Sequence, residues 1–413
     1  MEFSRRSSNL DQASSPLGTE RFIDDFNKGA YVPSISLKKA ALQNNLENSF
    51  STEFGDDKNE NKGGFNPRTF LDLPSQNTAS LAIHNQDVTT IDEMSDSCYL
   101  PKGVENIDEK DIHLPNHLSA YVMDIYRYSK WKELQASCML SENFLSQSKV
   151  TPGNRTKLLD WIVNVHRSFK LIPETLHLSC RILDLALAKG TVSNRQLQLY
   201  GIASMWIACK MEEIYPPPMS DFLIVTDNAF DEHEMCECER IILQTLKFDV
   251  NPPTSLHFLK RAAKVTKSEV LTYVMAKYIL ELALLDYHLA HFLPSHSAAT
   301  ALYTAYVILN YGKTGVGKSY LNEFWDNNAV FYTGYQESDL LRLGEKFAKI
   351  VEKASISKNK NQVFIKYKSE TLQSVSLSAE CKLALRIFIE YVQKIRQNKV
   401  LQKFDEMKIN KIF

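Results

Sequence analysis

One stretch of the chain, residues 197–217, joins an apolar run to a charged end, and its sequence is LQLYGIASMWIACKMEEIYPP. A helix that is apolar on every face must be buried on every side, and this run is far too short to cross a bilayer. Small residues such as Gly201 and Ala203 let neighbouring helices approach closely. Charged residues and prolines then end the helix. The stretch predicts a buried central helix whose end presents a contact surface.

The whole-chain composition limits the function classes. A length of 413 residues predicts two or three domains. With 48 basic and 49 acidic residues the net charge is -1, which argues against a dominant nucleic-acid-binding surface. The seven cysteines lack metal-binding spacing, and the chain has neither a signal-peptide pattern nor a long apolar run. We expect a soluble intracellular protein with no membrane partner, cofactor or metal.

The first part of the chain, residues 1–116, differs in composition from the rest. It is rich in Ser, Asn, Asp and Gly, and its apolar residues occur without sustained periodicity. Such a composition cannot easily bury a core. We therefore predict a disordered regulatory arm over residues 1–116.

Helical periodicity begins at His117 and continues almost to the C-terminus. Residues 117–250 predict a leading helix and one bundle, residues 251–399 predict a second bundle, and residues 400–413 form a tail. Capping boxes are predicted at Ser193 with Gln196 and at Asp231 with Glu234. No β pattern of convincing length occurs. The predicted fold class is all-α, with two consecutive five-helix bundles after the disordered arm.

These helical segments resemble the mitotic B-type cyclins from about Tyr121 onward. LLDWIVNVHRSFKLIPETLHL resembles the first two helices of a cyclin box, residues 197–217 resemble the third, and AKYILELALLDYHLAHFLPSHSAATA resembles the second box of B-type cyclins. The resemblance implies two cyclin boxes and a non-catalytic subunit. Such a subunit binds and activates a cyclin-dependent serine/threonine protein kinase in the cell cycle, and it occurs in the nucleus and cytoplasm.

The resemblance also implies which residues bind the kinase catalytic subunit. The polar contacts of the kinase-binding site fall on Lys210 and Glu239. The alternative role for these two residues is an ion pair that simply bridges two helix ends. A second pair, Arg155 and Asp184, is expected to join two helices structurally. The apolar groove of the kinase-binding site falls on Ile207, Met211, Leu243 and Phe248.

The substrate-docking patch of the family departs from its usual pattern here. A Met-Arg-Ala-Ile-Leu run is replaced by NRTKL at residues 154–158, so that Asn154 stands in place of methionine. Asn164 stands where an acidic residue is usual, whereas Leu158, Trp161 and Gln198 keep the likeness. A polar amide in a small apolar groove weakens it by about 1–2 kcal/mol. We expect weak or altered docking of Arg-x-Leu peptides, with a core role as the alternative for Leu158.

An enzyme motif occurs at residues 312–319, where GKTGVGKS fits the phosphate-binding loop G-x-x-x-x-G-K-[ST] in full. That loop requires a strand before it and a helix after it. The preceding AYVILNY could form a strand alone, but SHSAATALYTAYVILNY has a helical pattern. We interpret the match as coincidence. A P-loop NTPase and a cyclin-fold transcription protein that binds nucleic acid are the two alternatives to a kinase regulator.

A short linear signal lies in the predicted arm. Arg68 and Leu71 fit the Arg-x-x-Leu core of a destruction box, which cyclins of this kind use for ubiquitin-mediated destruction. The pattern predicts that a ubiquitin ligase recognises the arm. Arg155 and Leu158 fit the same core but lie in a predicted helix, so we discount them.

Overall fold

The computed structural model describes residues 100–114, 117–146, 148–190, 192–314 and 324–377, together with Ile389 and Val392. Within these ranges the chain is helical and contains no strand, which confirms the all-α prediction. A leading helix, α1, precedes a first bundle. The bounds are α1 Val122–Glu133, α2 Pro152–Phe169, α3 Pro173–Lys189, α4 Leu197–Glu212, α5 Met219–Val225 and α6 Glu232–Thr245.

The central helix of the first bundle is α4, as its sequence predicts. It packs against α2, α3, α5 and α6, and Ile202, Ala203 and Met205 are fully buried. Gly201 allows the close approach of α2, because a Cβ atom there would lie 2.9 Å from both terminal methyl groups of Leu158. The small residues of α4 therefore position α2 against it.

Of the two predicted capping boxes, one sets the start of a helix. The Asp231 carboxylate accepts a hydrogen bond from the backbone N–H of Glu234, whose own carboxylate accepts from Asp231, as the predicted capping box requires. The predicted box at Ser193 is wrong. Gln196 does accept hydrogen bonds from Ser193, but these stabilise a turn, and α4 begins only at Leu197.

The second bundle is organised around α9 in the same way as the first around α4. Its long helices confirm the predicted order, whereas the short α10 and α12 were not predicted. The predicted last helix lies almost wholly outside the described residues. The bounds are α7 Ser255–Val265, α8 Val270–Leu285, α9 Pro294–Thr314, α10 Asn327–Thr333, α11 Glu337–Ile356 and α12 Gln362–Lys366.

The two bundles meet along α2 and α3 on one side and α7, α8 and α12 on the other. The Thr156 hydroxyl of α2 donates a hydrogen bond of 2.8 Å to the backbone carbonyl of Leu285 at the end of α8. The Asp160 carboxylate of α2 accepts from the backbone N–H of Gln362 at the start of α12. Polar bonds as well as apolar packing thus join the two bundles.

The last residues of the predicted arm differ from the expectation of disorder. The Asp108 carboxylate accepts two hydrogen bonds of 2.6 Å from the Arg261 guanidinium of α7. The Tyr332 hydroxyl donates to the backbone carbonyl of Glu105. Residues 102–114 are therefore fixed to the second bundle, because their carboxylates form ion pairs with basic residues of α7 that are distant in the sequence.

Candidate functional site

The residues predicted to contact the kinase surround one ion pair at the surface of the first bundle. Lys210, in the last turn of α4, pairs with the Glu239 carboxylate of α6. The Lys210 ammonium also lies 3.5 Å from the centroid of the Trp206 ring. The two side chains keep 36% and 17% of their exposure, so a partner can reach both. In the free chain they have the bridging role that was the alternative prediction.

The predicted apolar groove is divided between surface and core. Met211 is 48% exposed and Phe248 is 68% exposed. Leu243 is partly buried against the core. Ile207 differs from the prediction, because it is only 3% exposed and belongs to the core. It lies one turn before Met211, where α4 is still covered on all sides.

Phe248 is presented by a tight turn after α6. Lys247 and Phe248 both have positive φ, of 54° and 60°. The backbone N–H of Phe248 donates to the carbonyl of Leu243 at 2.8 Å, which is the 6→1 bond of a Schellman motif. The helix ends at Thr245, so Phe248 lies beyond it and not on its apolar face. Its side chain instead projects into solvent.

The charged end of α4 also supports the neighbouring helix. The Glu213 carboxylate accepts hydrogen bonds from the backbone N–H of Ile172, at 2.9 Å, and from the Thr175 hydroxyl, at 2.6 Å. These atoms lie at the start of α3, whose N-cap residue has no capping side chain of its own. Beyond Glu213, Ile214 and Tyr215 are 87% and 91% exposed. The end of α4 thus has a fixed base and an exposed apolar tip.

A further apolar surface lies on α1 and was missed by the sequence analysis. The inward side of the helix combines the buried polar residues Ser129 and Glu133 with Met123 and Tyr126, which pack against the core. Its outward face carries large apolar side chains that are 40–65% exposed. The signal was present in the sequence, because these apolar positions recur at helical spacing, but the face they occupy was not predicted. The exposed residues are Tyr121, Ile125, Tyr128 and Trp131, which we call the α1 apolar face.

An ion pair connects α1 to the segment that follows α6. The Lys132 ammonium lies 2.7 Å from the Asp249 carboxylate, next to Phe248 in the sequence. Partial burial disfavours the charge on Asp249, but the hydrogen bonds from Lys132 and Ser137, together with the nearby lysine charges, outweigh it and keep the pKa of Asp249 below its usual range. This ion pair attaches the end of α1 to the segment that carries Phe248.

The predicted substrate-docking patch is only partly at the surface. Leu158 is fully buried, and Gln198 is 4% exposed. Trp161 is partly buried against the core. The Asn154 side-chain amide donates to the Asn194 side chain at 3.0 Å. At the start of α2 the structure thus leaves Asn154 bonded to Asn194, while Leu158 and Gln198 are buried.

Two other predictions concern structure rather than binding. Arg155 and Asp184 form a buried ion pair with two hydrogen bonds of 2.6 Å, which confirms their structural role. The segment before the P-loop-like sequence is helical as far as Thr314, so it is not the strand that a phosphate-binding loop requires. The rest of that motif and the predicted degron, Arg68 and Leu71, lie outside the described residues.

Two absences apply to the part of the chain that the structure describes. No helix there combines the length and apolar character that a bilayer crossing requires. Nor do its His, Cys, Asp and Glu side chains form any cluster of three or more suited to a metal ion.

Sequence profiles of two domain families match consecutive parts of the chain. The cyclin N-terminal domain matches residues 124–251, and the cyclin C-terminal domain matches residues 253–381. A G2/mitotic-specific cyclin-B2 of Oryzias javanicus is 39% identical over 276 residues, or 67% of this chain and 69% of the relative. The chain is a B-type cyclin. The human G2/mitotic-specific cyclin-B2 is 36% identical over 278 residues, covering 66% of each chain.

A solved structure of a viral cyclin from Herpesvirus saimiri aligns with a TM-score of 0.46 at 22% identity, covering 55% of this chain and 97% of that one. As a B-type cyclin, the protein is a regulatory subunit of a cyclin-dependent kinase and controls the cell cycle. It is not itself an enzyme.

Proposed function

We propose that this cyclin binds its kinase through the surface that surrounds Lys210 and Glu239. The observation that carries the proposal is the exposure of Met211 and Phe248, at 48% and 68%, beside this ion pair. Large apolar side chains at the centre of a contact supply affinity, and flanking charges fix its orientation. Leu243 lies one helical turn after Glu239 and completes the apolar surface between them.

The Lys210–Glu239 ion pair can be rearranged at low cost. Both side chains keep part of their exposure, and exposed ion pairs contribute only about 0–1 kcal/mol. On binding, the Lys210 ammonium can donate to backbone carbonyls of the kinase, while the Glu239 carboxylate accepts from backbone N–H groups. The pair thus keeps both groups in place until a partner arrives.

We propose that the kinase-binding surface also includes the α1 apolar face. Support comes from the exposed Ile125 and Tyr128, and from the ion pair of Lys132 with Asp249 that attaches α1 to the segment carrying Phe248. A kinase is competent only when its αC helix lies inward and completes a lysine–glutamate ion pair. A broad, rigid apolar surface that binds only this arrangement shifts the kinase population toward it.

The experiment is a pull-down of a mitotic-class cyclin-dependent kinase, followed by phosphorylation of a histone-type substrate. We compare the wild type with the Lys210→Ala, Glu239→Ala double variant. The matched control is Glu237→Ala with Arg240→Ala, which removes an exposed ion pair on the same helix α6. We expect binding and activation to be lost only in the first variant. Equal activity of both variants would reject this surface without changing the family assignment.

We further propose that substrate docking at the start of α2 is weak or altered. Asn154 already bonds to Asn194, and Leu158 is buried, so a peptide leucine meets a polar amide and little apolar surface. Fluorescence polarisation with an Arg-x-Leu peptide and an Arg-x-Ala control tests this. We expect similar, weak affinities for the wild type, and a gain for the leucine peptide with Asn154→Met. Strong preference by the wild type for the leucine peptide would contradict the proposal.

We also propose recognition of the arm by a ubiquitin ligase through Arg68 and Leu71, and residence in the nucleus and cytoplasm. Support is limited to the Arg-x-x-Leu sequence and the cyclin family. The half-life of the wild type in a mitotic cell extract is compared with that of Arg68→Ala, Leu71→Ala, which we expect to be longer. Imaging of the tagged chain tests its location.

A further inference from the structure

A cavity of about 60 Å³ lies where the two bundles meet. Residues of α2 and α3 form one side, and residues at the starts of α7 and α9 and along α8 form the other. The volume is enough for a few water molecules or for one small ion. The polar side chains that line it are Arg155, His177, Arg181, Asp184, Thr254, Ser255 and Ser297.

Three buried nitrogen atoms of these lining residues have no hydrogen-bond partner. Arg155 is fully buried and uses Nε and Nη2 on Asp184, so that Nη1 is left unpaired. Arg181 donates to the carbonyls of Ala290 and Cys138 from its two terminal nitrogens, and its Nε is unpaired. His177 is 3% exposed, with Nε2 unpaired. Buried donors almost always have a partner.

The first residues of two helices line the same cavity, and at the start of α9 one N–H, that of Ser295, already donates to the Glu133 carboxylate. Thr254 and Ser255, at the start of the 11-residue α7, line it, and the N-cap Thr254 makes no side-chain capping bond. Pro294 and Ser297, at the start of the 21-residue α9, line it as well. A helix N-terminus favours a negative charge because its first N–H groups are unpaired within the helix.

The formal charges of the side chains that line the cavity sum to one positive charge, and the Asp286 carboxylate outside the lining also acts on Arg155. Arg155 is balanced by Asp184, whereas Arg181 bonds only to neutral carbonyl oxygens. The nearby Glu133 carboxylate already has a cation of its own, because the Lys130 ammonium lies 3.6 Å away. Burial lowers the pKa of His177 to about 4, so this imidazole is neutral at pH 7 and can donate from Nε2.

The two carboxylates near His177, Glu174 and Glu281, are paired with Lys260 and Lys366. Glu281 and Lys366 of the second bundle interact with this imidazole electrostatically, and they bond to each other at 2.8 Å. They therefore add no net charge to the cavity. An anion can accept from all three donors at one position and also balance the charge of Arg181, whereas water molecules, each accepting two hydrogen bonds, would have to share the donors and would leave that charge unbalanced.

We propose that this cavity binds one small monovalent inorganic anion of the chloride class, held by Arg155, Arg181 and His177 between the two bundles. The anion accepts from Nη1 of Arg155, Nε of Arg181 and Nε2 of His177. It balances the charge of Arg181 and faces the starts of α7 and α9. Because its ligands come from both bundles, its binding stabilises their relative arrangement.

The direct test is diffraction from crystals of the full chain grown or soaked in bromide, which replaces chloride and scatters anomalously. We expect an anomalous peak in the cavity, within hydrogen-bonding distance of the three nitrogen atoms. Bromide peaks elsewhere with only water in the cavity would overturn the proposal. This test uses the wild type and so does not depend on any variant folding.

A second test measures affinity in solution. Thermal unfolding of the full chain is followed in potassium chloride and, at equal ionic strength, in potassium gluconate, whose anion is too large for the cavity. A site with a dissociation constant of about 10 mM would raise the folded-to-unfolded ratio about elevenfold at about 100 mM chloride. Identical unfolding midpoints of the wild type in the two salts would overturn the proposal at physiological concentrations.

Variants assign the effect to the cavity. Arg181→Met keeps the length of the side chain and removes its charge, and we expect it to abolish the difference between the two salts. Arg342→Met is the matched control, since Arg342 is exposed on α11 far along the chain, and it should keep the full difference. The readout is the salt difference within each variant, because Arg181→Met also loses two hydrogen bonds whatever the cavity holds.

Discussion

The Glu133 carboxylate of α1 accepts two hydrogen bonds from Ser295, one from the backbone N–H at 3.0 Å and one from the hydroxyl at 2.6 Å. Ser295 lies 162 residues further along the chain, in the first turn of α9. The Lys130 ammonium donates to the same hydroxyl. These bonds explain why the polar side chain of Glu133 is buried while large apolar side chains of α1 remain in solvent.

Replacement of Glu133 by alanine should therefore loosen α1 from the second bundle. The substitution leaves the Ser295 N–H and hydroxyl buried without their acceptor, which costs about 1–3 kcal/mol. Urea unfolding should show a lower midpoint. The control is Glu142→Ala, an exposed carboxylate in the loop between α1 and α2, which should change stability by less than about 0.5 kcal/mol. Equal losses in the two variants would show that this contact does not hold α1.

Substitutions on the α1 apolar face should weaken kinase binding without affecting the fold. Ile125→Ser and Tyr128→Ser remove side chains that are 40% and 59% exposed. Each should lower affinity for the kinase about tenfold or more, since a buried apolar anchor contributes about 1–3 kcal/mol. Surface plasmon resonance measures this, beside thermal unfolding. Ile356→Ser, an exposed isoleucine at the end of α11, should leave affinity unchanged; a similar loss there would indicate a nonspecific effect.

The order of the long helices was predictable because their apolar residues recur with helical period, and each bundle has one helix that is apolar on nearly all sides. The orientation of α1 was not predictable in the same way. Its apolar residues give the correct helix, but Ser129 and Glu133 are buried only because His257 and Ser295 provide hydrogen bonds from distant parts of the chain. Period alone cannot reveal such partners.

In the candidate site, too, the sequence pattern does not predict which single residues are buried. Ile207 and Met211 lie one turn apart on α4, yet they are 3% and 48% exposed, because only the end of the helix projects beyond its neighbours. Likewise, the sequence around Asp108 is polar enough to suggest disorder. Its burial depends on Arg261, which its own neighbourhood in the sequence does not show.

The contact between Gly201 and Leu158 predicts a steric conflict. A Cβ atom in Gly201→Ala would lie 2.9 Å from two methyl groups of a fully buried leucine. Overpacking costs about 1–3 kcal/mol, which exceeds the gain of about 1 kcal/mol in helix propensity, so we expect net destabilisation in urea. Gly153→Ala, whose Cβ would have only an ordinary contact at 3.9 Å, should be neutral or stabilising.

A double-mutant cycle identifies the cause of that loss. Leu158→Ala alone should cost about 2–5 kcal/mol, but in its presence Gly201→Ala should no longer destabilise, because the clashing methyl groups are gone. The two changes should therefore couple by at least about 1 kcal/mol. Additive effects would show that the conflict arises elsewhere in α4.

Asp160→Asn should stabilise the protein at neutral pH. Burial raises the pKa of Asp160 to about 6, although the backbone N–H of Gln362 acts in the opposite direction. A carboxyl whose pKa is raised by folding stabilises the fold fully below its unfolded value of 3.8, and this stabilisation is lost as the pH rises through about 6. Asparagine keeps an oxygen acceptor for Gln362 and carries no charge, so we expect a gain of about 1–3 kcal/mol at pH 7.5.

The measurement is urea unfolding of wild type and Asp160→Asn from pH 4 to pH 7.5. The difference between the two proteins should be small at pH 4 and should grow up to about pH 6. Differences are needed because burial also lowers the pKa of His166 and His177 to about 4, which makes both proteins less stable as the pH falls below about 6.5. Asp124→Asn, at a carboxyl that is 74% exposed, is the control. If the stability difference between the two proteins does not change with pH, ionisation of Asp160 does not lower the stability of the fold. The bond to Gln362 alone would then govern this contact between α2 and α12.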